Sequence, residues 1–460
     1  MQDWNLIDRQ LMGNAWIGSR IAETVTELCD EIGVRWAGTP AERAAAEAVA
    51  RRFDAMALSD TRIEPFPLVS WKCRSASLRL VDSTEPDIDV RPSMFCPSVS
   101  VESRVIDAGF GMPATLVQIP EDLLRGSVVL IDGGHEPFSE PLPLHVRLQS
   151  LTRRGVEAAI VISSTGGRRT ADFSVNDWRD ADPYAIPLAV VQTSREDGAR
   201  LRRQISDGAT VTVDVDAQRF DGESWNVMAD LTGSKCPDES LVLSAHHDTT
   251  TDSYGANDNA AGVAVLLETA QLLVDLQRET GVSPGRTIRF VSFGAEEQVL
   301  QGSRAYVAQH HGPEPPPRLM INLDELAAGP MKGVVLQFPE FRPLVQSQLD
   351  TIGEGYACHV MSQLDVSGDM FPFSRAGIPT SILWRWRFVG RHPDVAFGHT
   401  NADTPDKLRM RELKEYAGHL ARLLLRLSHV PPEDWPENQL CVDEIERRIE
   451  AERGSVFRTM

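Results

Sequence analysis

The sequence predicts an α/β protein: a mostly parallel sheet with helices on both faces, plus a smaller α/β domain inserted into it. Three observations predict this. Short apolar runs such as "LVLS", "RFVSF" and "LMI" alternate with stretches of helical period. Polar clusters follow the ends of these runs, where the carboxyl edge of a parallel sheet gathers functional groups. Between about residues 97 and 218 the texture changes to a block with its own strand–helix alternation.

The elements follow in order. "GTPAERAAAEAVARRF" opens as a helix, with Thr39 at the N-cap, Pro40 at the first helical position and Glu42 completing a capping box. "SASLRLVD" alternates as a strand. Within the block, "GSVVLIDGG" reads as a buried strand and "VRLQSLTRRGVEAAIVISS" as helix, Gly155, strand. "AIPLAVVQTS" is a further strand, "SREDGARLRRQISDG" a polar helix, and "ATVTVDVDA" an alternating strand that closes the block. "WNVMADLTG" and "SLVLSAHHD" follow as strands. "NAAGVAVLLETAQLLVDLQRETG" predicts an amphipathic helix with Val263, Leu266, Leu267, Ala270 and Leu273 on one face and Gly281 after its end. "RTIRFVSFG", "RLMINLDEL" and "IPTSILW" are strands. "TPDKLRMRELKEYAGHLARLLLRLSH" predicts a long helix that starts at Thr404 and Pro405, and a terminal helix is expected near "VDEIERRIEAER". The expected organisation is 1–96 and 219–430 as one domain, 97–218 as the insert and 431–460 as a tail.

The chain has 460 residues, 46 basic against 66 acidic, for a formal net charge of −20. Such a surface disfavours nucleic acid and anionic membrane as partners. No run of about 18 apolar residues is present and the first residues lack a signal-type apolar stretch, so the expected location is the cytoplasm. The six cysteines are scattered without a CxxC pair, which argues against a disulfide framework and against a thiolate zinc site. A metal in this chain would be held by imidazole and carboxylate.

Five polar clusters stand at predicted element ends: "AHHD", "GANDNAAG", "GAEEQ", "NLDE" and "GHTNADTP". Each alone reads more often as a cap or a turn; together they supply the ligand types of a zinc site without thiolates. In an extended segment His246 and Asp248 share a side and His247 points away. That spacing suits His246 as ligand and Asp248 as the carboxylate that orients it. Of the adjacent acids, one can ligate while its neighbour takes a proton from water acidified by the metal, which assigns Glu297 as ligand and Glu296 as general base.

These motifs, with "SGDMFPFSRAGIPTS", "FGHTNADTPDKL" and "GVRWAGTPAERAAAEAVARRF", resemble the co-catalytic zinc peptidases that include bacterial leucyl aminopeptidases, aminopeptidase Y and glutamate carboxypeptidase. The resemblance implies two zinc ions per chain, one held by His246 and Asp324, the other by Glu297 and His399, with Asp258 between them. It implies a zinc-exopeptidase fold, and a protease-associated-type domain at 97–218 that walls the cleft or supports a homodimer. The expected activity is aminopeptidase-type hydrolysis of a peptide or amino-acid amide. The family often has Ser-Asp-His where this chain reads Gly368-Asp369-Met370, which makes Asp369 and Met370 candidate substrate contacts. The basic stretch "WRWRFVGRH" offers Arg385, Arg387 and Arg391 for a substrate carboxylate. Carboxypeptidase, dipeptidase or other amide hydrolysis on the same residues, a non-catalytic receptor-like protein and a mononuclear glutaminyl-cyclase-like transferase are the competing readings.

Overall fold

A computed structural model of the chain describes residues 3–451, apart from 85, 141, 176–183, 185–187, 206–207, 327–330, 354–355, 384–396 and 437–440. The chain divides into two compact units: Met1–Leu68 with Gly222–Gly390 and Asn401–Ala451, and Val69–Asp221 with Arg391–Thr400 and Glu452–Met460.

The first unit is built on a mixed sheet. Its centre is parallel: Thr380–Leu383, Leu319–Asn322, Cys236–His246 and Arg286–Phe293 lie side by side in that order. From Leu241 on in the third of them, and throughout nearly all of the other three, these strands are buried, as expected for a sheet covered on both faces. Gly333–Leu336 adds antiparallel beyond Thr380–Leu383 and His359–Ser362 adds parallel beyond that. On the other side Val227–Leu231 runs antiparallel to Arg286–Phe293. The register sets His246 beside Phe293 and Asn322 beside Ser244, so three strands end close to one level. The motifs that carry His246, Glu296–Glu297 and Asp324 start there.

The helix expected after "GANDN" spans Ala261–Thr280 and stops at Gly281, which takes φ 75° and donates its N–H to Gln277 O. It is not amphipathic, because it is buried nearly all round. Ala264, Val265, Leu272 and Leu276 join the predicted face in the core. The Ala256–Thr280 stretch is long and apolar enough to cross a membrane, but 89% of its most apolar window is buried inside the protein, which accounts for its composition as a core helix. The last long helix also departs from expectation. Pro405–Lys407 forms a single 3₁₀ turn, Leu408 is extended, and the helix proper is Met410–His429. Helix Pro40–Ala55 begins as predicted, with Thr39 Oγ1 accepting from Glu42 N at 3.3 Å. The Glu42 carboxylate does not close a capping box. It accepts from Gly38 N at 2.6 Å and from the Ser224 hydroxyl, fully buried, and burial pushes it up to about 8. A helix that the sequence did not announce, Trp4–Ile17, starts on Asp3, which caps Leu6 N.

The second unit carries parallel strands Val99–Asp107, Val128–Asp132, Ala158–Ile162 and Ala189–Thr193, with Val90–Pro92 antiparallel at one edge and Thr210–Val215 antiparallel at the other. Helices Leu144–Arg153 and Arg195–Gln204 are the two expected there. Leu148, Leu151, Val129, Ile131, Val161 and Val190 form its own apolar core. The unit starts at Val69 rather than 97 because Val90–Pro92 pairs with Ala189–Thr193, which draws the preceding segment into it. "ATVTVDVDA" and "WNVMADLTG", read as separate strands, lie in one strand, Thr210–Leu231.

At the end of helix Gln301–His310 in the first unit, His310 Nδ1 lies 2.6 Å from Glu314 Oε1 and Nε2 lies 2.8 Å from Glu64 Oε2. The Glu64 hydrogen bond raises the His310 pKa from its ordinary 6.5, with Glu314 adding to it, against burial. A histidine raised on folding stabilises fully below about 6.5 and loses that contribution as pH climbs through its folded value. Glu64 and Glu314 are lowered, so their share is lost as acid is added. His310→Gln is therefore expected to flatten the fall in stability above pH 6.5, read by urea unfolding at a series of pH values. An unchanged profile would show that the triad contributes nothing.

Candidate metal centre

Four segments of the first unit converge beyond the strand ends. His246 is the last residue of its strand and is 1% exposed. Its Nε2 lies 3.2 Å from Asp258 Oδ1, 3.5 Å from Asp324 Oδ1 and 4.0 Å from Glu296 Oε2. Its Nδ1 lies 3.3 Å from Asp248 Oδ1. His246, Asp258 and Asp324 each offer a ligand atom within 4.8 Å of the others, and Asp258 and Glu297 meet the same limit. One imidazole N–H cannot serve three carboxylates, whereas a cation among them can. The donors are imidazole and carboxylate only, as a zinc ion accepts, so the residues fit the metal that the sequence called for.

Asp248 lies beside His246 and also fastens the neighbouring loop. Its two oxygens accept from Glu296 N and Glu297 N, each at 3.1 Å. One fully buried carboxylate thus lies against the histidine and accepts from the main chain of both acids. The loop needs unusual backbone: Ala295, Val299 and Leu300 all have positive φ. Gly294 allows it, since a Cβ there would stand 2.5 Å from Ser224 Oγ and 2.7 Å from Trp225 O. Asn259 ties the next segment in, donating to Leu323 O at 2.8 Å while its Oδ1 accepts from Gly262 N at 3.0 Å. A Cβ on Gly262 would fall 2.7 Å from Leu323 O, so only glycine lets this helix start so near Asp324.

The electrostatics follow from this crowding. Burial alone would push His246 down, but the Glu296, Asp248, Asp258 and Asp324 carboxylates hold it well above the usual imidazole value. Burial pushes Glu296 well above the ordinary carboxylate range; His246 opposes this, while Asp369, Asp324 and Glu297 add to it. His247, whose Nδ1 lies 2.9 Å from Ser292 Oγ, is driven to about 4 by burial and is a neutral core residue. The twin histidines therefore have separate roles, as the alternation of the strand requires.

The remaining predicted residues are placed differently. Asp369 is fully buried, pushed up to about 7 by burial against the pull of His246. Met370 departs from its expected role: it is 0% exposed and packs with Met228, Val291, Phe293 and Phe373, with Asn322 Nδ2 3.9 Å from its sulfur. A side chain so enclosed is core, not a substrate contact. Arg385, Arg387 and Arg391 lie outside the described residues. His399 is half-buried in the second unit with φ 59°, and its Nδ1 lies 3.1 Å from Asp172 O, whose own N–H donates to His399 O at 2.9 Å.

Residues 226–424 match the profile of Peptidase family M28. The chain is similar to that family over this segment. The matched segment holds His246, Asp258, Glu296, Glu297, Asp324 and His399. Among curated proteins, the chain is 26% identical over 327 residues to "probable leucine aminopeptidase 2" of Aspergillus oryzae, covering 68% of this chain and 61% of that one. It is 25% identical over 306 residues to human "Carboxypeptidase Q", covering 64% and 61%. The chain thus spans about three-fifths of the length of these relatives. Among solved structures, a Peptidase M28 precursor from Shewanella amazonensis superposes with a TM-score of 0.75 at 19% identity, over 95% of this chain and 99% of that one. The zinc aminopeptidase BSAP of Bacillus subtilis gives 0.67 at 22% identity, over 88% and 93%. These two likenesses establish the fold, the mixed α/β sheet with flanking helices.

Two buried residues that hold the loop between His246 and Asp258 were missed in the sequence. Asp403, fully buried, accepts from Asn257 N at 2.8 Å and Asp258 N at 3.0 Å. Arg35, also 0% exposed, donates to main-chain carbonyls around the same loop. Both stand inside quoted motifs, "NADTP" and "GVRWAGTP", yet spacing gives no sign that distant stretches share one loop.

Proposed function

We propose that the chain is a zinc-dependent exopeptidase of aminopeptidase type that hydrolyses peptide or amino-acid amide bonds. The observation that carries this reading is the buried meeting of His246 with Asp258 and Asp324, with Glu296 4.0 Å from the same imidazole nitrogen. His246, Asp324, Glu297 and Asp258 would hold zinc, and the reading takes His399 as the remaining ligand of a two-ion centre on the strength of its motif. The metal, when bound, supplies Lewis acidity toward the scissile carbonyl and the attacking water.

Glu296 accepts the proton of the attacking water and returns it to the departing amine. Burial, with Asp369, Asp324 and Glu297 adding to it, raises its affinity for a proton, the direction that a proton acceptor needs. Asp248 holds His246 and the Glu296 amide together, so base and ligand keep one spacing. The surrounding acids favour a substrate with a free ammonium, which supports the aminopeptidase assignment over a carboxypeptidase. The second unit is read as a protease-associated-type module, and the working location as the cytoplasm.

The test is a panel of aminoacyl, N-blocked and dipeptide amides given to the zinc-loaded protein, before and after chelation. Cleavage of free-amine substrates, lost on chelation and restored by zinc, is the expected result. Preference for N-blocked substrates with a free carboxyl end would replace aminopeptidase by carboxypeptidase. Activity indifferent to chelation would end the metal reading.

A further inference from the structure

His246 and Asp258 are joined by an irregular segment. Residues 247–255 carry neither helix nor strand, so no backbone ladder fixes the register between the two ligands. Two buried side chains replace that ladder. Arg35 Nε donates to His247 O at 2.8 Å, Nη1 to Tyr254 O at 3.0 Å and Nη2 to Gly255 O at 3.1 Å. The same guanidinium is anchored on Leu28 O at 2.8 Å and Gly33 O at 2.7 Å. The Arg35 main chain adds to this: its N–H donates to Thr249 Oγ1 at 2.9 Å and its carbonyl accepts from Thr249 N at 3.2 Å. At the far end, Asp403 accepts from Asn257 N and Asp258 N, and its carbonyl accepts from Ala256 N at 3.3 Å.

We infer that Arg35 and Asp403 are positioning residues that clamp segment 247–258 from both ends and thereby set the spacing of His246 and Asp258 as metal ligands. The inference rests on the metal-centre reading above. A guanidinium is required because its planar fork reaches carbonyls at both ends of the loop at once; an ammonium is a point donor and cannot. Arg35 also places a fixed cation next to a group of buried acids. Burial disfavours its charge, and Asp248 and Asp403 act in its favour, so the clamp and the acids are electrostatically dependent on one another. Such residues around a ligand set tune metal affinity without touching the metal.

The test uses full-length Arg35→Lys and Asp403→Asn, compared with wild type for zinc dissociation constant by chelator competition, with circular dichroism and thermal midpoint of the metal-free forms. The expected result is about 10–100-fold weaker zinc binding in each variant with secondary structure retained, and recovery of turnover at high zinc. Zinc binding as tight as wild type in both folded variants overturns the clamp. If Arg35→Lys does not fold, Asp403→Asn carries the comparison: weakened binding supports the clamp and unchanged binding overturns it. A wild-type chain that takes up no zinc defeats the metal-centre reading itself, before any variant is compared.

Discussion

Glu296→Gln is expected to lower kcat for amide hydrolysis by about 10²–10⁴-fold, the usual worth of a positioned general base. Zinc content should stay as in wild type. The amide side chain keeps the size and the main-chain N–H that donates to Asp248 Oδ1 at 3.1 Å, so the loop loses none of its fastening. What disappears is the one group near His246 Nε2 that is assigned to the proton rather than to the metal. KM should change little, because the loss falls on the transition state. Steady-state kinetics with metal analysis on the same sample separates the outcomes. Retained turnover would remove Glu296 from the role, and lost zinc would make it a ligand.

The meeting of these polar clusters was legible in the sequence because parallel strands deliver their polar ends to one edge, and each motif is announced by the apolar run before it. The pairing of His246 with Asp248 followed from the two-residue period of an extended chain. What the sequence hid was shared use. Asp248 is read from "HHD" as a partner for His246, yet it also accepts two amides 48 and 49 residues further on. Arg35 and Asp403 act on a loop more than 140 residues from one of them and more than 200 from the other, a relation that no local pattern encodes. Met370 was misjudged for the opposite reason. Its place in a motif suggested the pocket, and only packing against Phe293 and Phe373 shows it to be core.

The two helical errors have separate causes. Periodicity reports which face is apolar, not whether the other face is covered. Helix Ala261–Thr280 carries Glu268 and Thr269 on its apparent polar side. Both are buried, Glu268 accepting from Arg20 N at 2.9 Å and Thr269 donating to Val265 O at 2.7 Å. Their polar groups are satisfied locally, which lets the rest of that side enter the core. The start of Met410–His429 was misplaced because Thr404-Pro405 is a sound helix opening by local chemistry. The structure instead uses Thr404 to accept from Lys407 Nζ at 3.1 Å and ends the turn at an extended Leu408.

The largest effect on stability is expected away from the metal centre, at Asp8. This residue of the N-terminal helix is 4% exposed and faces two arginines of helix Met410–His429. Arg426 grips it with both terminal nitrogens, at 2.8 Å and 2.7 Å, and Arg422 adds a contact at 3.2 Å. Both arginines are as buried as the acid, at 2% and 3%. Arg426 has Thr351 Oγ1 at 2.9 Å and the Trp4 ring 4.7 Å away, and Arg422 has Ile352 O at 3.3 Å. None of these neighbours is an anion. Asp8→Ala would leave two desolvated cations facing each other, and breaking a buried pair from one side costs about 3–5 kcal/mol. Urea unfolding should show that loss as a lower midpoint at unchanged slope, with the ligand set untouched. Asp8→Asn keeps the shape and one acceptor but not the charge, so it should fall between wild type and alanine. If Asp8→Ala costs no more than a surface substitution, the helix Trp4–Ile17 is held by its apolar residues Ile7, Leu11 and Ala15 alone.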